Sequence, residues 1–257
     1  MSNLQASNDS FKYDDLKHAV ETIDRETLEI LKNNLDGNLS KALDLLQNTK
    51  GRVIVTGMGK SGHIARKMAA TFASTGTVSF FVHPAEASHG DLGMISDDDV
   101  IIAISYSGES KELSDILIYA KRHNIPLIAI TRNPQSALGK NSSLVLKLPD
   151  NGEACPLGLA PTSSTTATIV LGDVLAVDLM ERRGFSATDF RQRHPGGKLG
   201  AILCKVSDIM HKGDDVPLLK EDAIMQDALL VMSEKMLGCV GIVDNDGHLS
   251  GIITDGD

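Results

Sequence analysis

Five short apolar, β-branched runs, near residues 52–56, 78–82, 100–104, 127–131 and 143–147, alternate with stretches of helical period near 62–74, 111–123 and 162–182. Strands buried on both faces read as unbroken hydrophobic runs, and strand–helix alternation builds parallel sheets, so the spacing predicts a doubly wound α/β sandwich. Ligands of such sheets gather beyond the carboxyl ends of the strands. Upstream, Leu16, Val20, Ile23, Leu28, Leu31, Leu35, Leu39, Leu43 and Leu46 recur at helical spacing, predicting one or two amphipathic helices over residues 14–47. After Leu203 the pattern changes. Ala223–Leu237 reads as a helix, Cys239–Val243 and Leu249–Ile253 as strands, and Asp244-Asn245-Asp246-Gly247 as the hairpin turn between them. The pattern therefore predicts a large unit over residues 1–204 and a small one over 205–257.

Two of the strands run into similar loops, Gly57-Met58-Gly59-Lys60-Ser61-Gly62 and Ser105-Tyr106-Ser107-Gly108-Glu109-Ser110, each leading into a helix. Glycine lets backbone N–H groups approach a ligand, serine adds donors without bulk, and a helix N-terminus favours negative charge. A phosphorylated small molecule is the ligand this pattern suits. Gly57-x-Gly59-x-x-Gly62 also has the spacing of a dinucleotide fingerprint, but the next strand runs into His83-Pro84, and its nearest acid, Glu86, lies beyond the proline. That leaves a nicotinamide oxidoreductase as the weaker rival. A P-loop is excluded, because its leading glycine would fall on Ile54, inside a strand.

The composition narrows the class. With 257 residues, 42% of them hydrophobic, the chain can bury an ordinary core. A formal charge of −9, with Lys and Arg scattered singly, gives no electrostatic footprint for nucleic acid or an anionic membrane. The N-terminal residues Met1–Gln5 carry no secretion signal, and the longest apolar helix candidate, Ile169–Met180, is short and holds Asp173 and Asp178, so a cytoplasmic protein is expected. Cys155, Cys204 and Cys239 are odd in number and lack a CxxC pattern, which points to reduced thiols rather than disulfides or structural zinc. Cys155 is expected as a small buried residue, since no base stands near it in sequence.

Three further segments carry chemistry. His83 and His89 lie in a polar loop after a buried strand, which is where functional residues concentrate; the pair lacks any fixed metal-ligand spacing. Thr162-Ser163-Ser164-Thr165-Thr166-Ala167-Thr168 opens a helix with six hydroxyls in seven positions, a surplus over the single N-cap a helix needs, and predicts a polar ligand wall at Ser163 and Ser164. His194 stands in Arg193-His194-Pro195-Gly196-Gly197-Lys198-Leu199-Gly200 at the end of the α/β region.

The blocks GMGKSGHIARK, HPAEASHGDLG, SYSGES, EACPLGLAPTSSTTAT and HPGGKLG, from about Val53 through Gly200, together resemble the sugar isomerase (SIS) domain, and within it the D-arabinose 5-phosphate isomerases. The tail, notably Gly251-Ile252-Ile253-Thr254-Asp255-Gly256-Asp257, resembles the first motif of a CBS pair, and the chain stops near the end of that motif. The resemblance implies interconversion of D-arabinose 5-phosphate and D-ribulose 5-phosphate, supplying the Kdo sugar of lipopolysaccharide or, in some members, capsule. It implies Lys60, Glu112, Glu153 and His194 as the catalytic set. Ser61, Ser105, Ser107 and Ser110 would hold the phosphate, and Gly76, Thr77, His83 and His89 would line the sugar. No cofactor is required; zinc at His83 would inhibit rather than catalyse. A homotetramer is implied, with His194 able to serve a neighbouring subunit. The alternative is a non-catalytic SIS domain that senses a sugar phosphate, as in bacterial regulators, but the helix-turn-helix module of those proteins is not seen here.

Overall fold

The computed structural model describes residues 8–34, 37–195 and 204–257. The chain divides into two compact units, residues 1–200 and 201–257. The larger is a five-stranded parallel sheet in the order β2-β1-β3-β4-β5. Its strands are β1 (Val53–Gly57), β2 (Ser79–Phe81), β3 (Val100–Ile104), β4 (Leu127–Thr131) and β5 (Leu144–Lys147). Between and around them run α1 (Asn8–Asn34), α2 (Asn38–Gln47), α3 (Gly59–Ser74), α4 (Pro84–Ala87), α5 (Ser114–His123), α6 (Ala137–Lys140), α7 (Ser163–Arg182) and α8 (Ala187–Arg193).

Alternate strand residues feed two cores. Val53, Val55, Val100, Ile102, Ile104, Ile128 and Ile130 point toward α1, α2, α3 and α7, while Ile54, Ile101, Ala103, Leu127 and Ala129 point toward α4, α5 and α6. This is the double covering expected of β-branched runs without polar alternation. At the start of the sheet, the carboxylate of Asp99, its side chain fully buried, accepts from the Arg52 backbone N–H at 2.7 Å, from its guanidinium at 3.0 Å and from Ser96 N–H at 2.8 Å. Burial alone would raise the Asp99 pKa, but these bonds outweigh it and hold the carboxyl below its ordinary value.

Two sequence expectations need correction. The apolar face read in α1 is not the one that packs: Leu16, Val20 and Leu28 are exposed, and the buried stripe is Thr22, Glu26, Ile30 and Asn34, spaced four apart. Asn34 explains part of this choice. Its side chain bonds both the C=O and the N–H of Lys147, at 3.2 and 3.0 Å, and so closes the free edge of β5 as a neighbouring strand would. The helix expected over 162–182 is α7, Ser163–Arg182. At 20 residues α7 has the length and composition to cross a membrane, but it packs on α1, α2 and α3 and contributes Ala167, Leu171, Leu175, Ala176 and Leu179 to the core, as a core helix does. Secondly, Cys155 is only half-buried.

The smaller unit holds α9 (Val206–Ile209), β6 (Leu218–Lys220), α10 (Met225–Lys235), β7 (Cys239–Val243) and β8 (Leu249–Thr254). β7 and β8 form the expected hairpin, whose turn is fixed by Asp244 Oδ1 accepting from the N–H groups of Asp246 and His248, both at 2.9 Å. Strand β6, parallel to β7, is too short a run to be read beforehand. Ala228, Met232 and Val240 form the core of this unit.

Candidate active site

The carboxyl ends of the strands build the site. β1 delivers its loop directly into α3, and the two can meet only because position 62 has no side chain: a Cβ on Gly62 would stand 2.5 Å from the carbonyl oxygen of Gly57. Lys60 and Ser61 therefore sit in the first turn of α3, with Lys60 exposed to solvent and Ser61 half-buried. From β3 comes the second loop. Ser105 Oγ lies 2.9 Å from Ser110 Oγ and accepts from the N–H of Gly108 at 3.1 Å, while Ser107 Oγ accepts from Glu109 N–H at 3.2 Å. The loop is braced from β4, because Thr131 Oγ1 donates to Tyr106 C=O at 3.1 Å and Leu138 N–H donates to Gly108 C=O at 3.0 Å. Glu112 follows, exposed, in a 3-10 turn that leads into α5.

The strap from β5 to α7 carries Glu153. Its Oε2 accepts from the backbone N–H and hydroxyl of Thr162, at 2.7 and 3.1 Å, and from Ser164 N–H at 3.2 Å, and its Oε1 accepts from the Ser164 hydroxyl. Four donors thus hold one carboxylate on the N-terminus of α7, where the helix dipole also favours negative charge. Ser163 Oγ and Thr162 Oγ1 accept from Ala154 N–H at 3.1 and 3.0 Å. The hydroxyl surplus read as a ligand wall is largely spent on Glu153, on Ala154 and on the helix itself. Ser163 and Ser164 are both buried. A cavity of about 40 Å³ joins Ser61 and Ile64 of α3 to Tyr106, Ser164 and Thr165, so the Lys60-Ser61 turn and the Glu153-bearing helix end are neighbours. Burial, with the charges of Asp150 and Glu153 adding to it, pushes the Tyr106 phenol up from its ordinary value.

At the far edge of the rim, His83 caps α4 with its Nδ1 buried and unpartnered, its ring edge-on to Phe81 at 6.1 Å. His89 is exposed in the loop that follows. Among the described residues, the three side chains close enough to share an ion are Asp244, Asp246 and His248 of the other unit. His83, among the described residues, belongs to no such group. Cys155 lies two residues beyond Glu153; backbone N–H groups of Ala160, Leu157 and Leu159 hold its thiol below the usual range.

Three expected residues lie elsewhere. Gly76 and Thr77 follow the carboxyl end of α3, and the 14 residues of rise from Lys60 to Ser74 put that end about 21 Å from Lys60. The ring of Phe185 rests against Gly76, where a Cβ would be 2.6 Å away, and Arg193 lies over that ring at 5.0 Å. His194 is thus held at the amino edge of the sheet, its ring stacked on Phe190 at 3.9 Å and its Nδ1 2.8 Å from the Phe190 carbonyl. That carbonyl can only accept, so Nδ1 is the donor of this bond. Gly196–Gly200 of the same block lie outside the described residues. Glu26, Tyr106, Arg132 and Asn151, all placed around the strap, were not read from the sequence; the four-residue spacing of Thr22, Glu26, Ile30 and Asn34 was the available signal.

A parallel sheet with serine loops and a capped carboxylate at its carboxyl edge is the arrangement of a SIS domain, and residues 45–178 match that family, with a CBS domain matched over 206–257. Among similar proteins is the Arabinose 5-phosphate isomerase KdsD of Escherichia coli K12, 52% identical over 248 residues that cover 96% of this chain and 76% of the relative. Its counterpart in Francisella tularensis is 53% identical over 94% of this chain and 76% of its own length. The solved structure of E. coli CFT073 c3406 in complex with arabinose 5-phosphate superposes with a TM-score of 0.70 at 42% identity, covering 73% of this chain and all of that one. The chain belongs to the arabinose 5-phosphate isomerase family. Vibrio vulnificus NanR, complexed with ManNAc-6P, shares the fold alone, at 17% identity and a TM-score of 0.60.

Proposed function

We infer that this protein interconverts D-arabinose 5-phosphate and D-ribulose 5-phosphate through an enediolate. The observation that carries the mechanism is the Glu153 carboxylate, fixed by four donors at the end of α7 that adjoins the Ser61 turn. With the phosphate held by Ser61, Ser105, Ser107 and Ser110, a carboxylate removes the proton from C2 of the open-chain aldose, and the electron pair forms the C1=C2 bond as charge passes to O1. Protonation at C1, with loss of the O2 proton, then gives the ketose. Lys60 faces the developing oxyanion and lowers its energy electrostatically. Glu153 is the first candidate for the base, contributing about 10²–10⁴-fold, and Glu112 the second. His194 serves ring opening as the acid/base. A carboxylate base needs no metal, and no cofactor enters any of these steps.

We assign the chain to a homotetramer, a reading that two features of the protomer support. Gly76, Thr77 and His194 lie at the wrong edge of the sheet for their own Lys60, and α1 exposes Leu16, Val20 and Leu28 while α7 exposes Val177. In that assembly another copy would bring His194 to this rim. In the cell we assign the enzyme to the cytoplasm and to supply of the Kdo precursor for lipopolysaccharide, or to capsule. The test is turnover on a panel of arabinose 5-phosphate, free arabinose and glucose 6-phosphate. Turnover confined to the first supports the assignment; binding of all phosphates without turnover would return the sensing alternative.

A further inference from the structure

We propose that Tyr106, with Arg132 and Asp150, is a positioning residue for Glu153, tying the strap to the serine loop that holds the phosphate. The proposal rests on the reading of Ser105, Ser107 and Ser110 as the phosphate loop and of Glu153 as the base. Tyr106 stands between Ser105 and Ser107, so a phosphate that fixes those serines fixes the backbone of Tyr106 as well. Its hydroxyl donates to Pro149 C=O at 3.3 Å, four residues before Glu153. Arg132 lies over the same ring, 5.2 Å from its centroid, and its guanidinium donates to the carboxylate of Asp150, three residues before Glu153. One side chain of the phosphate loop thus reaches two consecutive residues of the strap, the first directly and the second through Arg132.

Tyr106 also borders the other end of the strap. It lines the small cavity shared with Ser61, Ser164 and Thr165, and Ser164 donates to Glu153 from both its N–H and its hydroxyl. The strap is therefore held twice, at Pro149 and Asp150 by Tyr106 and Arg132, and at Glu153 by the head of α7. Between the two anchors stands Gly152, at φ +94° with open space around its Cα, a pivot about which the strap can swing once the first anchor is cut. The phenol stays a donor across the working range, because burial, with the charges of Asp150 and Glu153, pushes its pKa up. The loop itself is braced by other bonds: Tyr106 C=O accepts from Arg132 N–H at 3.0 Å and from Thr131 Oγ1 at 3.1 Å. Substitutions confined to the Tyr106 hydroxyl or to the side chains of Arg132 and Asp150 leave those bonds in place, so they separate alignment of the base from the shape of the phosphate loop. A shift of about 1 Å in a reacting group can cost on the order of 10²-fold in rate.

The experiment measures kcat, KM and melting temperature for Tyr106→Phe, Arg132→Ala, Asp150→Asn and the Tyr106→Phe/Arg132→Ala double variant, with arabinose 5-phosphate as substrate. Each single variant is expected to lose about 10- to 100-fold in kcat with KM within threefold. The three groups form one connection, so the double variant should lose less than the product of its single losses. An exposed ion pair adds little stability, and Asp150→Asn should melt within about 4 °C of the wild type; a merely structural role would lower the melting temperature and leave kcat per folded molecule alone. Amide hydrogen exchange at Ala154 reads the coupling directly: inorganic phosphate, at a concentration that inhibits turnover, should slow it in the wild type and not in Arg132→Ala. Arg132 and Asp150 are exposed, so their variants carry the test if Tyr106→Phe does not fold. Wild-type kcat in a folded Arg132→Ala, a rise in KM in place of the fall in kcat, or phosphate without effect on Ala154 in the wild type would overturn the proposal. Glu153→Gln run alongside separates the two readings: if it keeps full turnover, Glu153 is not the base, while the response of Ala154 to phosphate still judges the coupling on its own.

Discussion

Gly59 and Gly108 both hold left-handed backbone, at φ +58° and +73°, yet alanine should cost far more at the second than at the first. Forcing an L-residue into that region costs about 1–2 kcal/mol at either site. At Gly59 a Cβ meets nothing within 4 Å, so this strain is the whole penalty. At Gly108 the Cβ would fall 1.9 Å from Ser136 Oγ, 2.4 Å from Ser136 Cβ and 2.9 Å from Thr131 Oγ1. Ser136 is fully buried and its hydroxyl bonds Asn133 C=O at 2.7 Å, so it has little freedom to retreat. Overpacking of this kind adds about 1–3 kcal/mol, bringing Gly108→Ala to about 2–5 kcal/mol. The two variants differ by the overpacking alone, so at about 2–4 °C per kcal/mol for a unit of this size calorimetry should show Gly108→Ala melting about 2–12 °C below Gly59→Ala. The same displacement breaks the Ser105–Gly108 bond, so KM for the sugar phosphate should rise. Equal melting temperatures for the two variants would refute the steric reasoning.

Asp99→Asn should destabilise most above about pH 4, the ordinary aspartate range. Because the folded carboxyl titrates below that range, the wild type loses this stability as pH falls through its depressed pKa, so the melting gap should narrow toward pH 3; a constant gap from pH 6 to 3 would contradict the ion pair's role. Asn34→Ala removes both bonds to Lys147 and should cost about 1–3 kcal/mol with activity per folded molecule retained; an unchanged melting temperature would count against the edge-closing contact. Lys60→Ala and His194→Ala, each inactive alone, should regain a fraction of wild-type activity when unfolded together and refolded, because mixed assemblies contain some intact sites. No recovery from a mixture shown to be hetero-oligomeric would mean that His194 acts in its own protomer.

The sheet and its loops were legible because a buried parallel strand has only one way to look, and because Gly57–Gly62 and Ser105–Ser110 follow such strands directly. What periodicity cannot say is which partner covers an apolar face. Leu16, Val20 and Leu28 stay exposed, and it is the stripe of Thr22, Glu26, Ile30 and Asn34 that packs, Asn34 because its side chain answers the backbone of Lys147 as no hydrophobic residue could. The hydroxyls of Thr162–Thr168 were legible as a surplus and illegible as a cage for Glu153, because the carboxylate they serve lies across a loop. Distance along the chain also hid the separation of His194 from Lys60, which depends on the lengths of α3 and α7 rather than on any local motif.

The central claim is best tested by following arabinose 5-phosphate and the purified protein in D₂O by proton NMR, wild type against Glu153→Gln, with metals removed by chelation. The account expects ribulose 5-phosphate to appear with solvent deuterium entering the reacting carbons, and the variant to fall by about 10²–10⁴-fold while staying folded. Wild-type turnover without any solvent exchange even at long times, or a folded Glu153→Gln that isomerises at the wild-type rate, would contradict proton transfer by this carboxylate.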